Sequence, residues 1–370
     1  MRCVILPLGL VMAWAGIVRA EEQTNLFESP RVSGRGRAHV AAYDSDDATR
    51  FNPATLAEPK LKFQLRPAQF DLFVGENSIN LINDLVKVSS SSNSGGDGMV
   101  QFLSQLDFGQ RLYGRGQLGL LAMRFGGFEL SPFFVGEMAF DLHNPVLPGA
   151  AWRIDSVAGM GMSYGWFWRP NLAVGVTVRP LHRWYTSSEM GLVDILDYTS
   201  SSGSDKASDT FRLLSGWGVG VDTGLIWLPT PTTRVGVTVL NVGDTGYFQD
   251  TGEQPPNIQQ TINVGALHRA ALGKWNWDWY LDGQGLMNRG GINLVRLIHG
   301  GTELGYRLWS RDNDLGLVAG LNEGYTTYGL FADLWLLRLD VTNYAVEVGH
   351  YPGQIIDRRW GATLRTSMTF

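Results

Sequence analysis

Ionisable side chains with the capacity for acid–base chemistry are concentrated in the middle of the chain. Glu129, Glu137 and Asp141 are followed by Arg153, Asp155, Arg179 and Arg183, with Glu303 and Arg307 further on. Paired carboxylates equip general acid–base and glycosidic chemistry, but only where a pocket brings two of them to one bond. Six histidines, at 39, 143, 182, 268, 299 and 350, are scattered. The His-Glu-x-x-His spacing of a zinc hydrolase does not occur, and Gly161-Met-Ser163-Tyr-Gly165 has the letters of a Gly-x-Ser-x-Gly motif but sits inside a strand-like alternation, without the strand-to-helix turn that a nucleophile elbow needs. Gly114-Arg-Gly116-Gln-Leu-Gly119 fits the letters of a dinucleotide fingerprint. That chemistry needs a helix N-terminus after the glycines, whereas strand-like residues follow here, so they read as small inward-facing residues. Asp44, Asp46 and Asp47 are hard oxygen ligands suited to Ca²⁺, without the spacing of a complete binding loop. The expectation is a protein that is not an enzyme, with no catalytic residue, no metal and no cofactor.

The elements that must hold the charged residues are strands. Fourteen strand-like segments follow residue 59, most with period-two alternation. Trp275, Trp277, Trp279 and Leu281 oppose Asn276, Asp278 and Asp282. Trp217, Val219, Val221, Leu225 and Trp227 oppose Gly218, Gly220, Asp222 and Gly224. Ala158, Met160, Met162, Tyr164, Trp166 and Trp168 share one face, and Leu172 to Arg179 alternates in the same way. Residues 360–370 place Trp360, Ala362, Leu364, Met368 and Phe370 on one side and Gly361, Thr363, Arg365, Ser367 and Thr369 on the other. A strand of a soluble sandwich alternates too. A tryptophan row backed by carboxylates, however, would be costly in a core that is dry on both sides. It is natural where one face meets lipid and the other meets water. On this reading Glu129, Glu137, Asp141, Arg153, Arg179 and Arg183 form a charge ladder on the lumen side that steadies the wall, and Arg31, Arg35 and Arg37 are expected to meet its acidic members.

Composition agrees. Aromatic residues make up 11% of the chain, with 13 Trp and 46 Gly, and only 18% is charged, against roughly a quarter in soluble proteins. No apolar run of ~20 residues beyond position 20 would make a spanning helix. Residues 1–20 read as an export signal, with Arg2, an apolar stretch from Val4 to Val18, and Val18-Arg-Ala20 before the cut. Cys3, the one cysteine, lies within it, so no disulfide is expected to hold the fold. Without Arg2 and Arg19 the remainder carries 28 basic and 35 acidic side chains, a net −7, which excludes a nucleic-acid partner.

Connections alternate in length. Short ones stand at Gly126-Gly127, Arg169-Pro-Asn171, Pro229-Thr-Pro231, Leu272-Gly273 and Arg311-Asp-Asn313. Long polar ones stand at about 76–110, 187–211 and 242–258, with a medium one near 288–296. Membrane barrels sort their loops in this way, with short turns on the periplasmic side. Ile79 to Val88 and Met99 to Leu106 have the apolar spacing of short amphipathic helices, and Thr199 to Asp209 reads as solvated loop. Residues 21–58 differ from the rest in being polar and glycine-rich, without alternation.

Within that segment stand Ser33-Gly-Arg-Gly-Arg-Ala-His39, then Asp46-Asp-Ala48, then Phe51-Asn-Pro-Ala54. This order resembles the N-terminal hatch of FadL-like outer-membrane transporters, which reads approximately S-G-x-G-R-A, D-D-A, N-P-A. The resemblance implies an all-β transmembrane antiparallel barrel of about 14 strands (59–370), a hatch inside it (21–58), and helical outer loops. It further implies passive passage of hydrophobic small molecules, such as long-chain fatty acids, across the Gram-negative outer membrane. Gly34, Gly36, Arg37, Asn52, Pro53 and Ala54 would then be hatch or ligand residues. The family's sideways exit at a kinked third strand would fall at Pro132 and Gly136, where a proline removes a ladder donor. Asn52 also has a local reason: Asn before Pro favours extended backbone, and its side chain can bond nearby backbone groups. The partners implied are outer-membrane lipid, a hydrophobic small molecule, and the barrel-assembly machinery, which would read a last strand ending in Phe370. The stretches Gly320-Leu-Asn-Glu-Gly-Tyr325, Val348-Gly349, Tyr351-Pro-Gly-Gln354 and Asp357-Arg-Arg359 look more like a conjugation-associated, TraF-like branch. The alternative function is therefore a non-transporting component of a secretion or conjugation system.

Overall fold

Side chains two apart on a strand share a face, so alternating apolar and polar residues build a sheet with two unlike sides. The computed structural model describes residues 25–43, 47, 49–57, 63–80, 111–143, 149–191, 212–249, 252–287, 293–308, 314–349 and 353–370, and in it that sheet closes on itself. The first strands are β1 (Phe63–Gly75), β2 (Arg111–Phe125), β3 (Phe128–His143), β4 (Gly149–Arg169), β5 (Leu172–Gly191), β6 (Leu214–Thr230), β7 (Thr233–Leu240) and β8 (Tyr247–Gln249). Then come β9 (Thr261–Leu272), β10 (Trp275–Gly283), β11 (Ile298–Tyr306), β12 (Leu315–Asn322), β13 (Tyr325–Leu334), β14 (Leu337–Glu347), β15 (Ile356–Thr366) and β16 (Met368–Thr369). β8 lies off the ring on β6, and β16 continues β15 past Ser367, which leaves the fourteen antiparallel wall strands expected from the sequence. The ring shuts where β15 meets β1, from Gln69 opposite Arg365 to Gly75 opposite Arg359.

The two faces sort as the alternation requires. On β10, Trp275, Trp277, Trp279 and Leu281 are exposed outward, while Asn276, Asp278, Tyr280 and Asp282 are buried inward. On β15, Trp360 and Leu364 point out, and Asp357, Arg359, Thr363 and Arg365 point in. An exterior of exposed Trp, Leu, Val and Phe around a closed ring is the surface of a barrel that sits in hydrocarbon. No described helix is long and apolar enough to cross a membrane. Phe125, Trp168, Trp335 and Phe370 stand exposed at the end of the ring that carries the short turns, where an aromatic girdle belongs.

Short turns join β2–β3, β4–β5, β6–β7, β9–β10 and β13–β14 at that end, which also carries the longer β11–β12 connection, where the expected turn Arg311-Asp-Asn313 lies outside the described residues; the connections β1–β2, β5–β6 and β7–β9 lie at the other. One tight exception stands among the long ones. β12 and β13 are joined by Glu323 and Gly324 alone, both with positive φ (52° and 93°), as in a type I′ hairpin. The wall is also uneven in height: β4 and β5 have 21 and 20 residues, β7 and β12 only 8 each. Helical residues occupy 76–80, and the rest of the stretches expected as outer helices lies outside the described residues. So do residues 1–20 and Thr199 to Asp209.

The interior holds the N-terminal segment. Every residue from Phe27 to Ala42 and from Thr49 to Ala57 is buried, with a short helix α1 (Pro30–Gly34) and a 3-10 turn at Pro53–Ala57. The polar face of the wall therefore does not meet bulk water, as the alternation suggested, but packs on protein. The room comes from wall glycines: a Cβ on Gly175 would lie 2.4 Å from the Pro53 carbonyl carbon, and one on Gly301 would lie 2.1 Å from the Arg35 carbonyl oxygen.

Candidate functional site

Charged side chains that cannot shed their charge need partners when buried, and this requirement organises the interface between segment and wall. Arg31 Nε donates to Glu303 Oε2 at 2.9 Å, and Arg35 Nη1 reaches the same oxygen at 3.4 Å. Their guanidinium groups also lie over the rings of Phe331 and Tyr280, at 3.7 and 4.5 Å. Arg37 instead pairs within its own segment, donating to Glu28 at 2.8 Å. Asp282 accepts the backbone N–H groups of His39 and Val40 at 2.6 and 2.9 Å. Arg50 donates to Asp71 of β1 at 2.7 Å, and Thr49 donates to Glu129 at 2.9 Å.

The other residues expected in a hatch lie at backbone contacts with the wall. Thr327 Oγ1 donates to the Gly34 carbonyl at 2.8 Å and accepts from Gly36 N–H at 3.0 Å. Gly36 has φ +72°, and a Cβ there would meet the Gly300 carbonyl at 2.3 Å, so only glycine fits. Asn52 donates from Nδ2 to the Val40 carbonyl at 2.6 Å and accepts the Ala54 N–H at 3.0 Å, the local backbone bond its type suggested. Pro53 and Ala54 press on Gly175 of β5. His39 is fully buried with Nδ1 against the Arg37 carbonyl at 2.7 Å, and burial lowers its pKa to about 4, so the ring is neutral at neutral pH.

The inward charged side chains expected as a ladder are each found beside an opposite charge. Glu137 lies between Arg115, at 2.9 Å, and Arg153. Arg183 holds Asp155 at 2.6 Å, Arg179 donates to Asp222 at 2.8 Å, and Asp141 lies 3.5 Å from Arg111. Glu129 takes Arg66. Arg307 is not on the ladder: it follows β11 and donates to the Gly273 carbonyl at the short-turn end. Gly114 and Gly116 also face outward rather than inward, because Arg115 and Gln117 occupy the inward parity of β2 and only Gly119 shares it. Among the described residues no group of His, Cys, Asp and Glu could hold a metal ion. Asp44 and Asp46 lie outside the described residues, and Asp47 is buried 4.0 Å from Arg50.

One part of the lumen is apolar. Phe133 and Val135 of β3, Val157 of β4 and Leu181 of β5 point inward and form a cluster with Phe27 and Phe51 of the segment. Tyr247 of β8 and Ile258 cover it from the long-loop side. Phe27 meets Phe133 edge to face, with ring centroids 4.9 Å apart and planes at 79°. Two small cavities flank Leu26, of about 20 and 40 Å³, which is room for a water or two and not for an organic ligand. Pro132 lies directly beside the cluster. Leu121 has φ +50° in the stretch where the β2–β3 register shifts between Gly119 and Met123, opposite Ser131 and Pro132. The pairing of β3 with β4 runs without a shift from Phe128 opposite Tyr164 to His143 opposite Gly149, with Pro132 opposite Met160 and Gly136 opposite Ser156. The wall at Pro132 is thus irregular toward β2 and continuous toward β4, whereas Gly136 is regularly paired on both sides, opposite Gly116 and Ser156.

Sequence reasoning missed Phe27, Arg50, Asp71 and Tyr247. The available signal was the presence of large aromatics in a segment otherwise too polar to need them.

No family model and no curated protein matches this chain. Solved structures do. The chain is similar to the CymD monoaromatic hydrocarbon channel, with a TM-score of 0.52 at 13% identity over 92% of this chain and 97% of that one. It is similar to the P. putida toluene transporter TodX, with a TM-score of 0.50 at 12% identity over 93% and 98%. A TodX deltaS2S3 mutant gives a TM-score of 0.51 at 12% identity over 93% and 99%. At such identities the likeness establishes the fold, a closed fourteen-strand barrel.

Proposed function

We propose that this chain is an outer-membrane channel that passes small, neutral, hydrophobic molecules down their gradient, with residues 25–57 as a hatch that closes the polar lumen. The observation that carries the reading is the apolar cluster of Phe133, Val135, Val157 and Leu181. It lies against tall wall beside Pro132, where the pairing of β2 with β3 is irregular. An apolar solute that reaches this cluster from the outside has hydrocarbon within one wall thickness, and partition into it needs no energy source. The shared fold with monoaromatic hydrocarbon channels supports the same reading. Export by residues 1–20 and an outer-membrane location belong to it.

Ligand class follows from charge. The larger cavity is lined by Arg115 and Arg183, and Arg153 stands beside it on Glu137; each guanidinium faces a carboxylate. A fatty-acid carboxylate would have to break one of these buried pairs, and a neutral hydrocarbon would not. The test is uptake of labelled toluene and labelled oleate by cells that carry the folded protein in the outer membrane. Toluene uptake several-fold above cells without the protein is expected, with oleate at background. Toluene uptake equal to background in both would refute the channel reading.

A further inference from the structure

Two cations at the end of the ring that carries the short turns have no carboxylate beside them. Lys274 stands in the tight β9–β10 turn, where Gly273 takes a φ of 66°, and Arg307 directly follows β11 on the neighbouring strand. The backbone joins them: Arg307 N–H donates to the Lys274 carbonyl at 2.9 Å, and the Arg307 guanidinium donates to the Gly273 carbonyl. That one side-chain bond holds the guanidinium at the turn. Among the described residues neither cation lies in an ion pair, whereas Arg31, Arg179, Arg183 and Arg269 each face a carboxylate. Asp314, which accepts the Leu308 N–H at 2.5 Å, is buried.

Aromatic rings set the height of this pair. Trp275 and Tyr306 are opposite each other on β10 and β11, with ring centroids 4.8 Å apart, and both lie on the outward parity. Lys274 Nζ lies 6.0 Å from the Tyr306 ring centroid, so the ammonium stands on the outward side of the wall as well. Trp and Tyr gather where hydrocarbon gives way to headgroups, and the outward residues that follow from there, Trp277, Trp279, Leu281 and Leu304, are apolar and exposed. The two cations therefore stand at the level of lipid phosphate in the leaflet on the short-turn side.

We propose that Lys274 and Arg307 together bind the phosphate of an anionic phospholipid in the periplasmic leaflet, with an acyl chain along Trp277 and Leu304. The inference rests on the outer-membrane placement proposed above and not on the passage of any solute. A guanidinium fork and an ammonium suit the oxygens of a phosphodiester. Selectivity follows from the same charges. A zwitterionic headgroup brings an ammonium of its own, which meets two cations and no exposed carboxylate. Each cation at the membrane surface favours an anionic lipid by about fivefold, so the pair favours it by about thirtyfold.

The experiment is native mass spectrometry of the chain refolded in vesicles of phosphatidylethanolamine and phosphatidylglycerol and then extracted in mild detergent. Retention of phosphatidylglycerol about thirtyfold over phosphatidylethanolamine is expected. Lys274→Gln combined with Arg307→Gln should bring the two lipids to equal retention. Lys274→Gln alone, which leaves the bond from Arg307 to Gly273 in place, should lose about fivefold. Folding of both variants is checked by heat-modifiable electrophoretic mobility. Arg169→Gln is the control, since Arg169 ends β4 at the same end of the ring with no ring contact or ion pair among the described residues. Three results overturn the proposal: an equal loss in that control, retention without preference in the unaltered chain, or displacement of the bound lipid by excess inorganic phosphate. The last would assign the site to a free anion. Retention needs no transport, so absent toluene uptake leaves this inference standing, and absent lipid preference leaves the channel standing.

Discussion

Glu303 is the carboxylate whose loss should free the buried N-terminal segment from the wall. Its side chain is 1% exposed and faces Arg31 and Arg35, themselves 8% and 0% exposed. Glu303→Gln keeps the volume and removes the charge, leaving two guanidinium groups buried against a neutral amide. Removing one partner of a buried ion pair costs about 3–5 kcal/mol, because the remaining charge loses its compensation. Arg35 keeps its bond to the Ala38 carbonyl and its place over Tyr280, so the lower half of that range applies to it. A central figure of about 4 kcal/mol multiplies the undocked population roughly a thousandfold. Hydrogen–deuterium exchange on the refolded barrel reads this directly. Amides of Gly36, His39 and Val40, bonded to wall side chains, should exchange about 10³ times faster while amides of β10 and β11 do not change. Planar-bilayer recordings of the same variant should show added conductance from the opened lumen. Unchanged protection at these three amides would refute the idea that this ion pair holds the hatch. Restoration of most of the loss by a second change, Arg31→Gln, would confirm that the charge and not the shape is responsible.

Other perturbations follow from the same geometry. Gly175→Ala puts a methyl 2.4–2.5 Å from Pro53 and Ala54 backbone atoms, which cannot rotate away; about 1–3 kcal/mol of destabilisation by urea titration is expected, with faster exchange at Ala54. Asn52→Ala strips partners from the buried Val40 carbonyl and Ala54 N–H, about 1–3 kcal/mol for each group, and should lower the unfolding midpoint more than Asn52→Ser. His39 is neutral when folded with a pKa of about 4, against 6.5 when unfolded, so the unfolded chain binds more protons between these values. Stability should be complete above about pH 6.5 and fall by about 3 kcal/mol as the pH drops to 4, and His39→Asn should remove that part of the slope.

Most of the fold was legible because the wall has period two and two unlike environments. Trp275 to Asp282 needed no further information to be placed, since an error of one residue would turn Asp278 and Asp282 toward hydrocarbon and three tryptophans toward the polar lumen. The Asn52-Pro53 turn was legible for the same kind of local reason. Partners across the lumen were not, because they depend on which wall strands the segment faces, and nothing in Arg50 names Asp71, or in Arg31 names Glu303. Gly114 and Gly116 were misplaced through attention to the glycines alone; the flanking Arg115 and Gln117 decide the parity of that strand. Phe27 was passed over as part of a polar segment, although burying a phenyl group is a strong reason for that segment to dock.

The uneven wall bears on the membrane itself. Eight residues at ~3.4 Å each, tilted about 40°, rise roughly 21 Å, whereas the 21 of β4 rise roughly 55 Å. An apolar band is about 25 Å tall, so lipid beside β7 and β12 must be compressed by a few ångströms while lipid beside β4 and β5 need not be. The molecule thus imposes a thickness gradient around its circumference. Short or disordered acyl chains will collect on its low flank, and that flank is where neighbouring proteins gain most by sharing the pinched lipid.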